Sequence, residues 1–210
     1  MNGGRVKRLN ERASRGQTTP TSTASPLQAF NLLLPVADKE RMLWLAEKAT
    51  ELGVASWRPV AFKRSRDVNP RGEGPVFQQK VRARMKSALA QSGGAWLPAM
   101  YPDATVEHAI AARAEGAAVV LDADAPPMHD VVVALDVGGR VRLGAVEVTM
   151  PVTLVVGPEG GFEPSEREAL EAGGFHPASL GATVLRFETA AVAGVAVLRA
   201  ALARTVQRSS

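Results

Sequence analysis

Cysteine is missing from the 210-residue chain, which excludes disulfides, thiolate metal sites and cysteine nucleophiles together. Histidine is scarce, and His108, His129 and His176 lie too far apart to form a metal-ligand motif, so no metal is expected. No stretch reaches the roughly 18 continuous apolar residues that a membrane span needs, and the N-terminus lacks the apolar core of a signal peptide. The expected location is therefore cytoplasmic, with no membrane partner. Aromatic residues make up only 5% of the chain, so its core must be built mainly from aliphatic side chains.

What remains is ordinary globular composition, 46% hydrophobic and 22% charged, enough for one domain with a sizeable core. The net charge of +4 is unevenly placed. Residues 1–27 hold five basic residues against Glu11 alone and show no apolar period, so they are expected to form a disordered basic tail. Residues 58–86 hold nine basic residues, including Arg64, Arg66 and Arg82, against Asp67 and Glu73. Such a concentration suits a phosphate backbone, and it equally suits a solvated face.

From Ala29 onward, strand and helix signals alternate. Strands are expected at 29–35, 54–62, 95–101, 117–122 and 152–157, and helices at 38–52, 76–91, 106–114, 164–172 and 188–204. Asp38 is a candidate N-cap and Gly53 a stop for the first helix, while Ser165 with Glu168 is a candidate capping box for the fourth. Residues 123–149 have Val-rich runs broken by Asp and Gly, and receive no assignment. Alternation of this kind predicts an α/β fold with a mostly parallel sheet. The final helix is apolar on nearly every side from Ala190 to Leu198, which fits either a central core helix or a subunit interface.

Two segments carry chemistry. In Val155-Val156-Gly157-Pro158-Glu159-Gly160-Gly161-Phe162, a buried strand runs into a glycine turn at the place where open α/β sheets bind ligands. It lacks the Gly-Lys-Ser/Thr ending of a P-loop, and Glu159 would repel a phosphate, so a ligand with positive charge or amino donors fits better. The alternative is a turn that simply ends a strand. In Ser179-Leu180-Gly181-Ala182-Thr183-Val184-Leu185-Arg186-Phe187-Glu188-Thr189-Ala190, Arg186 and Glu188 stand at the start of the apolar helix. Charge there is expensive unless it is paired or used.

Together these segments resemble the small-subunit ribosomal RNA methyltransferases that act on uridine N3, within the SPOUT superfamily. The resemblance also rests on Lys48-Ala49-Thr50-Glu51-Leu52-Gly53-Val54 and on Gln91-Ser92 followed by Leu97-Pro98, and it extends over about residues 29–204. It implies a C-terminal deep trefoil knot, S-adenosylmethionine as cofactor, ribosomal RNA as substrate and a homodimer packed near the knot. The implied cofactor-binding residues are Leu121, Gly157, Pro158, Glu159, Gly160, Leu180, Gly181 and Leu185. Replacing Gly160 by Val is expected to block close backbone approach there. The family's N-terminal PUA-like domain has no counterpart in residues 1–27, leaving 28–208 as the methyltransferase domain. The family's Pro-Arg after the Leu-Gly pair is Ala182-Thr183 in this chain, and an Arg near the Gln-Ser landmark is Gly94.

Uridine N3 carries a proton at neutral pH, so methylation needs a positive group to favour the anion or a base to remove the proton. The implied catalytic residues are Arg186, to stabilise charge on the uracil, and Glu188, to orient it or act as base. Without an N-terminal RNA-binding domain, Arg64, Arg66 and Arg82 become the expected RNA contacts. Two alternatives stay open: a SPOUT enzyme with another RNA target, and a non-catalytic relative that binds RNA or cofactor.

Overall fold

The computed structural model describes residues 29–65, 74–135, 140–143 and 146–208. Arg66 and the N-terminal 28 residues lie outside the described residues. In chain order the elements are β1 (Phe30–Pro35), α1 (Lys39–Glu51), β2 (Ser56–Val60), α2 (Gly74–Ser92), β3 (Ala99–Met100), α3 (Val106–Ala111) and β4 (Ala117–Leu121). They continue with α4 (Met128–Ala134), β5 (Arg140–Leu143), β6 (Val146–Thr149), β7 (Val152–Val155), α5 (Pro164–Ala172), β8 (His176–Ala178) and α6 (Phe187–Arg208).

Six strands form one sheet in the order β3-β2-β1-β7-β4-β8, and every neighbouring pair is parallel. The late strand β7 lies between the early strands β1 and β4, and all four of its residues are buried. Alternation along the strands divides the core in two. Leu32, Leu34, Trp57, Val119 and Leu154 pack with α1, α2, α4 and α6. Leu33, Val60, Val120 and Val155 point the other way, toward α3 and α5. A sheet covered on both faces must be apolar on both faces, as these near-continuous runs are.

Several boundaries are set by local chemistry. Asp38 caps α1, its carboxylate accepting from Arg41 N–H at 3.0 Å. Gly53 follows at φ +63, a left-handed conformation that glycine adopts without strain. The third strand is much shorter than the expected 95–101, because Pro98 and Pro102 bracket it and cannot donate to a ladder. Helix α5 begins at Pro164 as expected, but its capping box differs: Glu166, not Glu168, reaches back to Glu163 N–H at 2.9 Å. Ser165 instead accepts a hydrogen bond from Lys63 Nζ at 3.0 Å. The unassigned stretch 123–149 contains α4 and the separate antiparallel pair β5–β6.

Helix α6 owes its small residues to close packing within the chain. A Cβ on Gly194 would stand 2.7 Å from Leu154 Cδ2, so glycine lets the helix lie directly on β7. Phe187, Ala191, Val195 and Leu198 are buried on that side, whereas Ala196 and Val197 are exposed on the other. Among the described residues, no helix is long and apolar enough to cross a membrane.

Candidate functional site

The C-terminal ends of β4, β7 and β8 stand side by side in the sheet, and an open cleft of about 240 Å³ lies over them. Ligands of open α/β sheets bind at such strand ends. Leu121 closes β4, Gly157, Pro158 and Glu159 follow β7, and Leu180, Gly181 and Leu185 follow β8; all seven line the cleft. Residues from three distant parts of the sequence are thus assembled by strand order alone.

Gly160 does not line the cleft. Its open side faces Arg64, whose Cβ would be 3.1 Å from an added Cβ. Arg64 braces the glycine turn: its Nε donates to Glu163 Oε1 at 2.5 Å and its Nη1 to Gly160 O at 3.2 Å. Beneath this brace, the buried Glu166 carboxylate accepts from Lys63 N–H at 2.7 Å as well as from Glu163 N–H. Arg82 projects from the exposed side of α2 with Lys80 and Lys86, and none of the three has an acidic partner among the described residues.

The lining has an acidic bias, with Asp122, Asp124 and Glu159 against Arg167, above an apolar floor of Leu121, Val156, Leu180 and Phe187. Arg167 pairs with Asp122 and lies over the Phe162 ring. Among the described residues, the only backbone hydrogen bond from 180–186 is the one Arg186 O accepts from Ala190 N. The loop's other amides and carbonyls make no backbone–backbone bond among the described residues.

Arg186 and Glu188 flank the cleft residue Phe187 but do not pair with each other. Arg186 is exposed and has no acidic partner among the described residues. The Glu188 side chain is only 13% exposed, and its Oε2 is a buried oxygen with no hydrogen-bond donor among the described residues.

The sequence reading missed Arg41, on the first turn of α1. Its Nε donates to Asp38 Oδ2 at 2.7 Å, and its Nη1 donates to Glu159 Oε1 at 2.6 Å and stands 3.9 Å from Glu188 Oε2. The guanidinium carbon lies 5.4 Å from the centre of the Phe187 ring. Hydrogen bonds from Arg41, led by the one from its backbone N–H, hold the Asp38 carboxyl below the usual carboxylate range. No sequence motif joins Arg41 to Glu159, 118 residues away.

The profile of the RNA methyltransferase domain family matches residues 23–199. Among solved structures, a methyltransferase from Legionella pneumophila in complex with the bound cofactor SAM is 26% identical, with a TM-score of 0.66 over 83% of this chain and 66% of that one. A ribosomal RNA small subunit methyltransferase E from Neisseria gonorrhoeae, bound to S-adenosyl methionine, is 24% identical with a TM-score of 0.62, again over 83% and 66%. The SpoU methyltransferase AviRb from Streptomyces viridochromogenes shares the fold at 15% identity, with a TM-score of 0.51 over 85% of this chain and 61% of that one. The chain thus spans just under two thirds of the length of these relatives. Among curated proteins, none matches it.

Proposed function

Because the chain belongs to the RNA methyltransferase domain family, we propose that it transfers a methyl group from S-adenosylmethionine to N3 of a uridine in 16S ribosomal RNA. The observation that carries this reading is the cleft built from three strand ends, with acidic groups at its rim and apolar side chains at its floor. That combination fits the cofactor's chemistry: Asp122, Asp124 and Glu159 suit its sulfonium and ammonium charges, while Leu121, Leu180 and Val156 suit a flat adenine. Backbone groups of Leu180, Gly181 and Leu185 can read the edge of the base.

When bound, the cofactor supplies a methyl group activated by the positive sulfur. The chain's own residues must do the rest, and most of it is positioning for an in-line displacement. Arg186, exposed beside the cleft and without an acidic partner among the described residues, stabilises negative charge on the uracil. Glu188 presents a buried carboxylate oxygen to the imide N–H and accepts its proton. The insertion of β7 between β1 and β4 is compatible with the SPOUT knot, and we include the knot and a homodimer in the proposal. The direct test is calorimetry followed by mass mapping. A particle of about twice the 22.1 kDa chain mass should bind S-adenosylmethionine and leave one methylated uridine in unmodified 16S RNA. Tight ATP binding without S-adenosylmethionine binding would overturn the reading.

RNA contact is assigned to Arg82 together with Arg64 and Arg66, and the surroundings of Arg64 and Arg82 separate their expected behaviour. Arg82→Ala should weaken RNA binding and reduce the salt dependence by roughly one unit of slope per lost phosphate contact, with cofactor affinity unchanged. Arg64→Ala should also weaken cofactor binding, because it removes the brace on the glycine turn. RNA titrations across salt concentrations that show no change for Arg82→Ala would reduce the α2 face to a solvated surface.

A further inference from the structure

We propose that Arg41 is a positioning residue for methyl transfer, holding the Glu188 carboxylate aimed while leaving its Oε2 free to accept a hydrogen bond from the target base. This rests on the methyltransferase reading above and assigns a role to a residue on an element remote in sequence from both loops of the cleft.

The geometry carries the inference in three steps. Asp38 fixes the guanidinium from one side through Nε at 2.7 Å, and the Phe187 ring lies 5.4 Å from it, so the fork has little freedom. Nη1 donates to Glu159 at 2.6 Å and stands 3.9 Å from Glu188. The second contact is close enough for charge to act but too long for a hydrogen bond. Glu188 Oε2 is therefore buried beside a cation yet lacks a donor among the described residues. Buried carboxylate oxygens without donors are costly, and each calls for an explanation, a catalytic role among them. A donor on the substrate, such as the imide N–H of a pyrimidine, provides that explanation. The same guanidinium also ties Glu159, in the cofactor turn, to the start of α6, so the two halves of the site share one anchor.

The experiment is a double-mutant cycle on the full-length protein, with unmodified 16S RNA as substrate. Arg41→Met should lower kcat by roughly 10- to 100-fold, the scale of a misplaced reacting group, while the RNA KM stays within about twofold. S-adenosylmethionine affinity, read by calorimetry, should change less than about fivefold, since the Glu159 pair is partly exposed. Arg41→Lys should recover part of the rate by restoring the charge without the fork. In a Glu188→Gln background, Arg41→Met should cost little further. Equal losses in both backgrounds, or a loss confined to cofactor affinity and melting temperature, would overturn the role. If the wild-type protein binds S-adenosylmethionine but methylates no RNA, the methyltransferase reading fails and this role fails with it. Failure of the cycle in an active enzyme removes only the role of Arg41.

Discussion

Gly157→Ala should reduce S-adenosylmethionine affinity at least about tenfold and destabilise the fold by about 1–3 kcal/mol, the usual range for overpacking a core. An added Cβ would stand 2.7 Å from Phe162 Cζ, with two further ring carbons at 2.9 and 3.1 Å. The ring cannot simply swing aside. It is buried, meets Phe62 edge-on at 5.3 Å between centroids, and has Arg167 over its face at 5.9 Å. Moving it would disturb Arg167 and its partner Asp122, both of which line the cleft. Gly160→Ala is the comparison: its Cβ would stand 3.1 Å from Arg64 Cβ, pressing on the brace rather than on the lining, and calorimetry should show a smaller loss than for Gly157→Ala. Gly157→Ala paired with Phe162→Leu should recover binding, because the smaller side chain makes room. Unchanged affinity in Gly157→Ala, or no recovery in the double variant, would remove close packing at this turn as a requirement for cofactor binding.

The legible features were those specified by neighbouring residues. Asp38 and Gly53 bound α1 through contacts within three or four positions, Pro164 starts α5, and the apolar runs at β1, β4 and β7 announce strands buried on both faces. The glycine turn after β7 and the loop after β8 could be placed at strand ends, but a turn that simply ends a strand reads the same way, and only the family resemblance singled them out as ligand loops. Strand β8 itself was hard to see: it has three residues, one of them Pro177, and Pro is tolerated only because the strand lies at the sheet edge. Helix α4 and the β5–β6 pair left a mixed Val, Asp and Gly pattern without a clean period.

The missed parts of the site share one cause. Arg41 with Glu159, and Asp122 with Arg167, are pairs whose members are far apart in sequence, and only the sheet order brings them together. Arg64 shows the same effect in reverse. It belongs to a basic run in the sequence, but its guanidinium braces residues 160 and 163. A charge count identifies a segment as basic; whether a given arginine is free depends on tertiary contacts.

Under the proposed mechanism Arg186 carries the charge that stabilises the uracil, and Arg186→Ala should lower the methylation rate by about 10²- to 10³-fold, the range for removing one preorganised donor from a developing anion. The side chain is exposed, and among the described residues it has no acidic partner, so no ion pair there is lost with it. Its neighbours on either side, Leu185 and Phe187, both line the cleft, and Phe187 is also buried against the core, so Arg186 stands at the edge of the site. Melting temperature and S-adenosylmethionine affinity should therefore stay near wild type, and RNA affinity should change less than about twofold, because only the reacting base gains the charge. Arg186→Lys should recover part of the rate, since an ammonium supplies charge without the planar fork. Single-turnover measurements separate the step from RNA association. If Arg186→Ala slows RNA binding but leaves the single-turnover rate intact, Arg186 is a phosphate contact, and stabilisation of the uracil anion must come from another group at the cleft.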